Sequence, residues 1–325
     1  MGEIAHYVIV TEDGPDLRYS HWGATSLLRD MFWGPEHALR FATAQEPCDR
    51  WRSQVWCEGA ACIDTVRRQL VLYTGYDNIP VRRTYLAMLA ATWAGWSVRW
   101  AGHGLFDIIG HLGLDPDLVR DHVDADPLEP DWDRTADDSI TTVLSVRGTS
   151  GSLTFHALGG GLLEDLVAAG PDEILAGAHP RARLTPTTFP MSGLHLDLAR
   201  REAGYWTGDG LPDPRTPPHW PGWTFTCWFD RYEDQLARTD GKLAFPIPSQ
   251  TESTAQILGF LAPRDPMDTA AMATQLSELA GPGAQISTSF HAHHPLEPDE
   301  ELRSRMLATG LATLPQTPEP TGSAR

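Results

Sequence analysis

The sequence predicts an α+β protein made of two tandem homologous α+β repeats. Each repeat is expected to be a mostly antiparallel sheet with helices on one face. The two are expected to stand in a pseudo-two-fold relation, followed by a βαβα C-terminal extension. Three observations predict this. Short motifs recur in one order at a nearly constant offset, the same strand and helix patterns recur with them, and an acidic stretch separates the two sets. His21-Trp22 before Leu27-Leu28-Arg29-Asp30 is answered by His156-Ala157 before Leu162-Leu163-Glu164-Asp165. Gly34-Pro35 is answered by Gly170-Pro171, and Asp64 with Arg67-Arg68 by Asp197 with Arg200-Arg201. Trp93-Ala94-Gly95-Trp96 is answered by Trp220-Pro221-Gly222-Trp223.

Each repeat opens on a hairpin. In the first, β-rich 7–10 and 17–20 flank Asp13-Gly14; in the second, 142–146 and 153–155 flank 148–151. A helix is expected next, over 27–32 with Thr25 or Ser26 as N-cap, and over 162–169 in the second repeat. Gly34-Pro35 and Gly170-Pro171 stop these helices, and short helices follow at 36–44 and 172–176. A strand pair is read at 59–64 and 69–73. A helix at 81–91 has no counterpart, because prolines between 212 and 218 remove donors and clash in a helix interior. Strands at 96–100 and 223–228 and helices at 105–112 and 231–238 complete the repeats.

These readings place the first repeat at 1–114, an acidic linker at 115–138, the second repeat at 139–243, the extension at 244–314 and a disordered tail at 315–325. The linker carries ten acidic residues against Arg120 and Arg134, so it reads as exposed. The extension reads as a strand at 256–261, a helix at 268–280, a strand at 284–291 and a helix at 298–310.

The chain has 325 residues, a formal charge of −18 and a single lysine, Lys242. Arginine in place of lysine suits a GC-rich bacterial genome. Acidity disfavours nucleic acid as a partner and permits a basic protein partner. No stretch has the length of an apolar membrane span, and residues 1–6 lack the basic and apolar regions of a secretory signal. The four cysteines show no CxxC spacing, so a reduced, cytoplasmic protein is expected.

The candidate catalytic residues are those present in both repeats: His21, Asp64 and Arg67, and their counterparts His156, Asp197 and Arg200. A histidine with a carboxylate suits proton transfer, and arginine suits an anion. The same residues also suit hydrogen bonds and ion pairs that close turns. Twelve tryptophans form the second constellation. Those around 93–100 and 220–228 read as core, whereas Trp22, Trp51 and Trp56 read as candidate binding residues. His291 and His293 alternate on a strand, and His195 stands two residues before Asp197, but neither set completes a metal site. Gly159-Gly160-Gly161 lacks the remainder of a phosphate-binding motif. No cofactor is expected, and the oligomeric state is open. The sequence favours a non-catalytic binding or regulatory protein, resembling immunity proteins in composition only. The alternative is a small-molecule hydrolase or transferase using one of the His/Asp/Arg sets.

Overall fold

The computed structural model describes residues 3–76, 78–121, 131–132, 140–159, 163, 166–167, 170–177, 180–208, 210–211, 220–263 and 296–315. The fold is α+β, with two mixed sheets. The first is ordered β3-β2-β1-β4-β5-β6, from β1 (Ala5–Thr11), β2 (Gly14–Ser20), β3 (Glu46–Pro47), β4 (Gly59–Asp64), β5 (Gln69–Thr74) and β6 (Ser97–Trp100). The second is ordered β12-β11-β10-β8-β9-β7. It comprises β7 (Asp131–Trp132), β8 (Thr142–Arg147), β9 (Leu153–Gly159), β10 (Ser192–Asp197), β11 (Glu202–Thr207) and β12 (Thr224–Cys227). The hairpins β1–β2, β4–β5, β8–β9 and β10–β11 are antiparallel. The contacts β1–β4, β5–β6, β8–β10 and β11–β12 are parallel.

Eight helices of the described residues matter to the argument. They are α1 (Leu27–Phe32), α2 (Pro35–Thr43), α3 (Ile79–Thr92), α4 (Leu105–Leu112), α5 (Pro171–Gly177), α6 (Glu233–Leu236), α7 (Gln250–Leu261) and α8 (Glu300–Leu311). The expectation of helices on one face is corrected, because both faces of the first sheet are covered. Tyr7, Ile9, Ala61, Ile63, Leu70 and Leu72 pack under α1, α2, α3, α7 and α8. The alternate residues Val8, Ala60, Cys62 and Val71 pack under α4 and the buried Val119. Side chains alternate between faces along a strand, so the unbroken burial of β4 requires cover on both sides. In the second sheet, Leu144, Val146, Leu194 and Leu196 face α5 and Trp220. Val143, Phe155 and Trp206 face Trp228 and Tyr232, and also Ile79 at the start of α3.

The extension departs from its expected form. Residues 256–261 lie in α7, a helix opened by a capping box between Ser249 and Glu252. Helices α7 and α8 pack on α3 of the first unit. Arg303 of α8 donates to the Leu261 carbonyl at 2.9 Å and lies over Trp33. The strand expected at 284–291 and the helix at 268–280 fall outside the described residues. The stretch read as linker is not uniformly exposed. Val119 is buried against the first sheet, and β7 adds to β9. From the first unit, Arg83 of α3 reaches Asp230 at 3.1 Å and Glu233 at 2.5 Å, so α3 bridges the two sheets.

Candidate functional site

Two turns built from the same residues carry the site. In β4–β5 the Arg67 N–H donates to Asp64 Oδ1 at 2.8 Å; in β10–β11 the Arg200 N–H donates to Asp197 Oδ1 at 3.0 Å. The following residues, Arg68 and Arg201, both take left-handed backbone, with φ of 52° and 54°. Each then passes its carbonyl to the next strand, at Ser97 N–H and Thr224 N–H, both at 2.9 Å. The aspartates therefore close turns by their position alone, as such residues do.

Above the turns the two units part. Asp64 has no exposed side-chain surface. It accepts from the Arg67 guanidinium at 2.9 Å and shares a 2.9 Å hydrogen bond with His111 Nε2 of α4. Burial pushes its carboxyl up. The Arg67 N–H, the Arg67 guanidinium and His111 outweigh that and hold it below the usual carboxylate value. Asp197 meets Arg200 at only 3.9 Å, and beside it opens a cavity of about 480 Å³. Helix α4 runs for eight residues, whereas α6 runs for four. Counting from the end of the preceding strand, Arg238 stands where His111 stands. It lies instead over the Trp228 ring at 4.7 Å and pairs with Asp234 at 3.5 Å. The space that α4 and His111 fill in the first unit is thus left open in the second.

The floor of that cavity holds His195 and Gly204, with Trp228, Arg238 and Arg147 among its walls. A buried hydrogen-bond chain fixes the histidine. The Trp206 indole N–H donates to Gln235 Oε1 at 2.6 Å, and the Gln235 amide donates to Ser145 Oγ at 3.0 Å. Ser145 Oγ lies 2.8 Å from His195 Nδ1. Among the described contacts His195 Nδ1 is the acceptor within reach of the Ser145 hydroxyl, so the arrangement that uses that hydroxyl proton has Ser145 donating to Nδ1, which places the ring proton on Nε2. Burial, then the charges of Arg238 and Arg147, lower the His195 pKa to about 4 against a weaker pull from Asp197, so the ring is neutral at neutral pH. In that tautomer Nε2–H is the donor His195 has to offer. Ser145 is fully buried, so its hydroxyl is a structural donor and no substrate reaches it.

The sequence-predicted sets divide. Asp197 and Arg200 line the cavity, but His156 does not join them. His156 pairs with Leu144, on the face of the sheet opposite Ser145, His195 and Asp197. His21 and His156 are not equivalent. His156 is buried within β9, while His21 is exposed beyond the end of β2 and bonded to the Tyr19 hydroxyl at 3.0 Å. Asp64 pairs with Val10, and Ser20 with Ala5 at the other end of β1. At roughly 3.3 Å per residue, His21, one residue beyond Ser20, is about 20 Å from Asp64 along the strand, too far for an acid–base pair.

Among the candidate tryptophans, Trp22 and Trp56 are 55% and 58% exposed. Trp51 is half-buried, its ring 5.4 Å from that of His6. His6 accepts from the Arg52 N–H at Nε2, and burial lowers its pKa to about 4. Trp93, Trp220 and Trp228 are buried, while Trp96, Trp100 and Trp223 are partly so. His291 and His293 lie outside the described residues, as do Gly160 and Gly161. Among the described residues no cluster of histidine, cysteine and carboxylates suits a metal. The four cysteines are free, and burial raises Cys57 to about 11 and Cys62 to about 12, which removes them as nucleophiles. No helix of the described residues is long and apolar enough to cross a membrane.

Ser145, Gln235 and His111 escape sequence reasoning. The available signal was glycine inside strands. A Cβ at Gly193 would collide with Trp206 and Gln235, and one at Gly204 with the Trp228 ring.

No protein family, curated protein or solved structure matches this chain.

Proposed function

We propose that this is a duplicated α+β protein whose second repeat binds a small molecule beside Asp197, without performing chemistry on it. Duplication is supported by strand order, direction and register, which agree over β2-β1-β4-β5-β6 and β9-β8-β10-β11-β12. It is supported further by matched glycines of positive φ, Gly34 with Gly170 and Gly95 with Gly222. The observation that carries the binding reading is the contrast at the two turns: an α4 histidine closes the first, and a cavity of about 480 Å³ opens at the second. That volume falls in the range of small-ligand sites, about 300–1,000 Å³. With the acceptor nitrogen of His195 already engaged by Ser145, and Ser145 itself unreachable, binding is favoured over hydrolysis or transfer.

The test is a thermal-shift screen of anionic, neutral and cationic metabolites, repeated on Ala237→Phe, which places a ring in the cavity. A ligand at a hundred times its Kd is expected to stabilise the native protein by about 2.7 kcal/mol and to lose that effect in the variant. A screen without hits, or hits indifferent to the plug, would remove the reading.

A second reading, of a basic protein partner, is favoured by the exposure of Trp22 and Trp56 on a chain of charge −18. It expects a stoichiometric complex that Trp22→Ala with Trp56→Ala abolishes and that added salt weakens. A complex insensitive to both would count against it.

A further inference from the structure

We infer that the ligand of this cavity is a small oxyanion, a phosphate monoester or a carboxylate, received by Arg200 and by the Nε2–H of His195. The inference rests on the binding reading above and names the ligand's chemistry. Its first support is local charge. The cavity is lined by Arg147, Arg200 and Arg238 against Asp197 and Glu202. A cationic excess thus stands in a chain whose formal charge is −18, and a local excess of one sign attracts the opposite ion.

The second support is how the donors are committed. Arg147 spends its guanidinium on the Arg238 carbonyl at 2.8 Å and on Asp240 at 3.4 Å. Arg238 is held by Asp234 and by the Trp228 ring. These two supply charge with few donors to spare. Arg200 has its side chain 72% exposed, and among the described residues its guanidinium has one ion-pair contact, the long one to Asp197. Among the described arginines that line the cavity it is the one least committed to other partners, and a guanidinium presents the paired donors that carboxylate and phosphate oxygens accept. The third support is the chain from Trp206 through Gln235 and Ser145. It occupies Nδ1 of His195 and so keeps Nε2 a donor. A polar chain at the centre of a sheet face that apolar residues would fill equally well is accounted for if it aims that donor.

The experiment uses the full chain in phosphate-free buffer, with three probes of one shape: benzoate, phenyl phosphate and the neutral benzamide. Binding is read from tryptophan fluorescence and from the His195 ring 15N resonances. Benzoate or phenyl phosphate is expected to bind, to move the Nε2 resonance and to weaken as salt rises. The tighter of the two identifies the oxyanion. Arg200→Ala is expected to weaken it on the order of tenfold, with Arg200→Lys between, since lysine keeps the charge and loses the fork. Benzamide bound as tightly as benzoate, or anion binding unchanged in Arg200→Ala, would overturn the inference and leave the binding reading standing. No binding of either anion overturns it as well. The neutral and cationic metabolites of the screen, tested against Ala237→Phe, then decide separately whether the binding reading falls.

Discussion

The Asp64 turn and the Asp197 turn share the Asp-x-x-Arg-Arg pattern, the left-handed second arginine and the Arg N–H to Asp hydrogen bond, yet one is sealed and the other opens onto a cavity. In the first, α4 continues to His111 and a 2.9 Å bond closes the aspartate in. In the second, α6 stops after four residues and Arg238 lies back over Trp228. The difference teaches that the turn is structural in both units. What it is used for depends on the length of one helix on the adjoining face. Beneath it the same register positions carry different residues: Val8, Cys62 and Val71 in the sealed unit, Ser145, His195 and Gly204 in the open one. The sealed unit packs an apolar face there, while the open one carries a hydrogen-bond chain and a glycine that admits an indole ring.

The strongest way to break this comparison is at Trp206, which is fully buried and anchors Gln235. Trp206→Ala is expected to cost about 3–5 kcal/mol in urea denaturation and to release the His195 ring, seen as a change of its 15N tautomer signature. Stability lost with an unchanged tautomer would show that the chain does not set the proton. Next is His111→Ala, which takes a charged-group hydrogen bond from buried Asp64 and is expected to cost about 1.5–3 kcal/mol. Arg238→Ala, at the matching position but exposed, is expected to cost less than about 1 kcal/mol. Equal costs would mean that the two positions are not counterparts. Gly204→Ala, which drives a methyl into the Trp228 ring, is expected to cost about 1–3 kcal/mol. The opposite change, Val71→Gly, would not open a cavity in the first unit, because α4 still covers it.

The remaining test is pH dependence, which probes the same buried ring without a substitution. His195 and His6 have folded pKa values of about 4, below the 6.5 of the free side chain. Between those values the unfolded chain binds more protons, so stability is lost as pH falls from 6.5 to about 4, at most about 1.4 kcal/mol per pH unit for each histidine. Asp64 acts later. Its lowered pKa stabilises the fold above the ordinary carboxylate value, and that contribution disappears as pH falls further through the folded value. His195→Asn is expected to make the first limb shallower, with His6 still contributing, and Asp64→Asn to make the second shallower, measured as Tm against pH. A His195→Asn profile parallel to the unsubstituted protein would contradict the neutral, buried ring.

Much of this was legible from local rules. Asp-x-x-Arg-Arg between apolar runs marked both turns, Gly34-Pro35 marked the start of α2, and the hairpin at Asp13-Gly14 followed from its turn residues. The false match was His21 with His156, where similar dipeptides align at an offset that the strand registers do not share. Residues 256–261 misled for another reason. Ile257-Leu258-Gly259-Phe260-Leu261 is apolar throughout, and a short apolar run does not distinguish strand from buried helix. The capping box at Ser249 and Glu252 was the signal that distinguished them.

The turns and hairpins were set by local sequence, because they depend on neighbours along the backbone, and the chain's acidity follows from composition alone. Only the tertiary structure decided which side chains meet. Register assigns each residue to a face, as it sets His156 against His195, and a distant segment covers that face or leaves it open. The pairing of Asp64 with His111, the chain from Trp206 to His195 and the return of α7 and α8 to the first unit all join residues remote in sequence. Local propensity carries no information about such contacts, and burial, charge and the site arise from them.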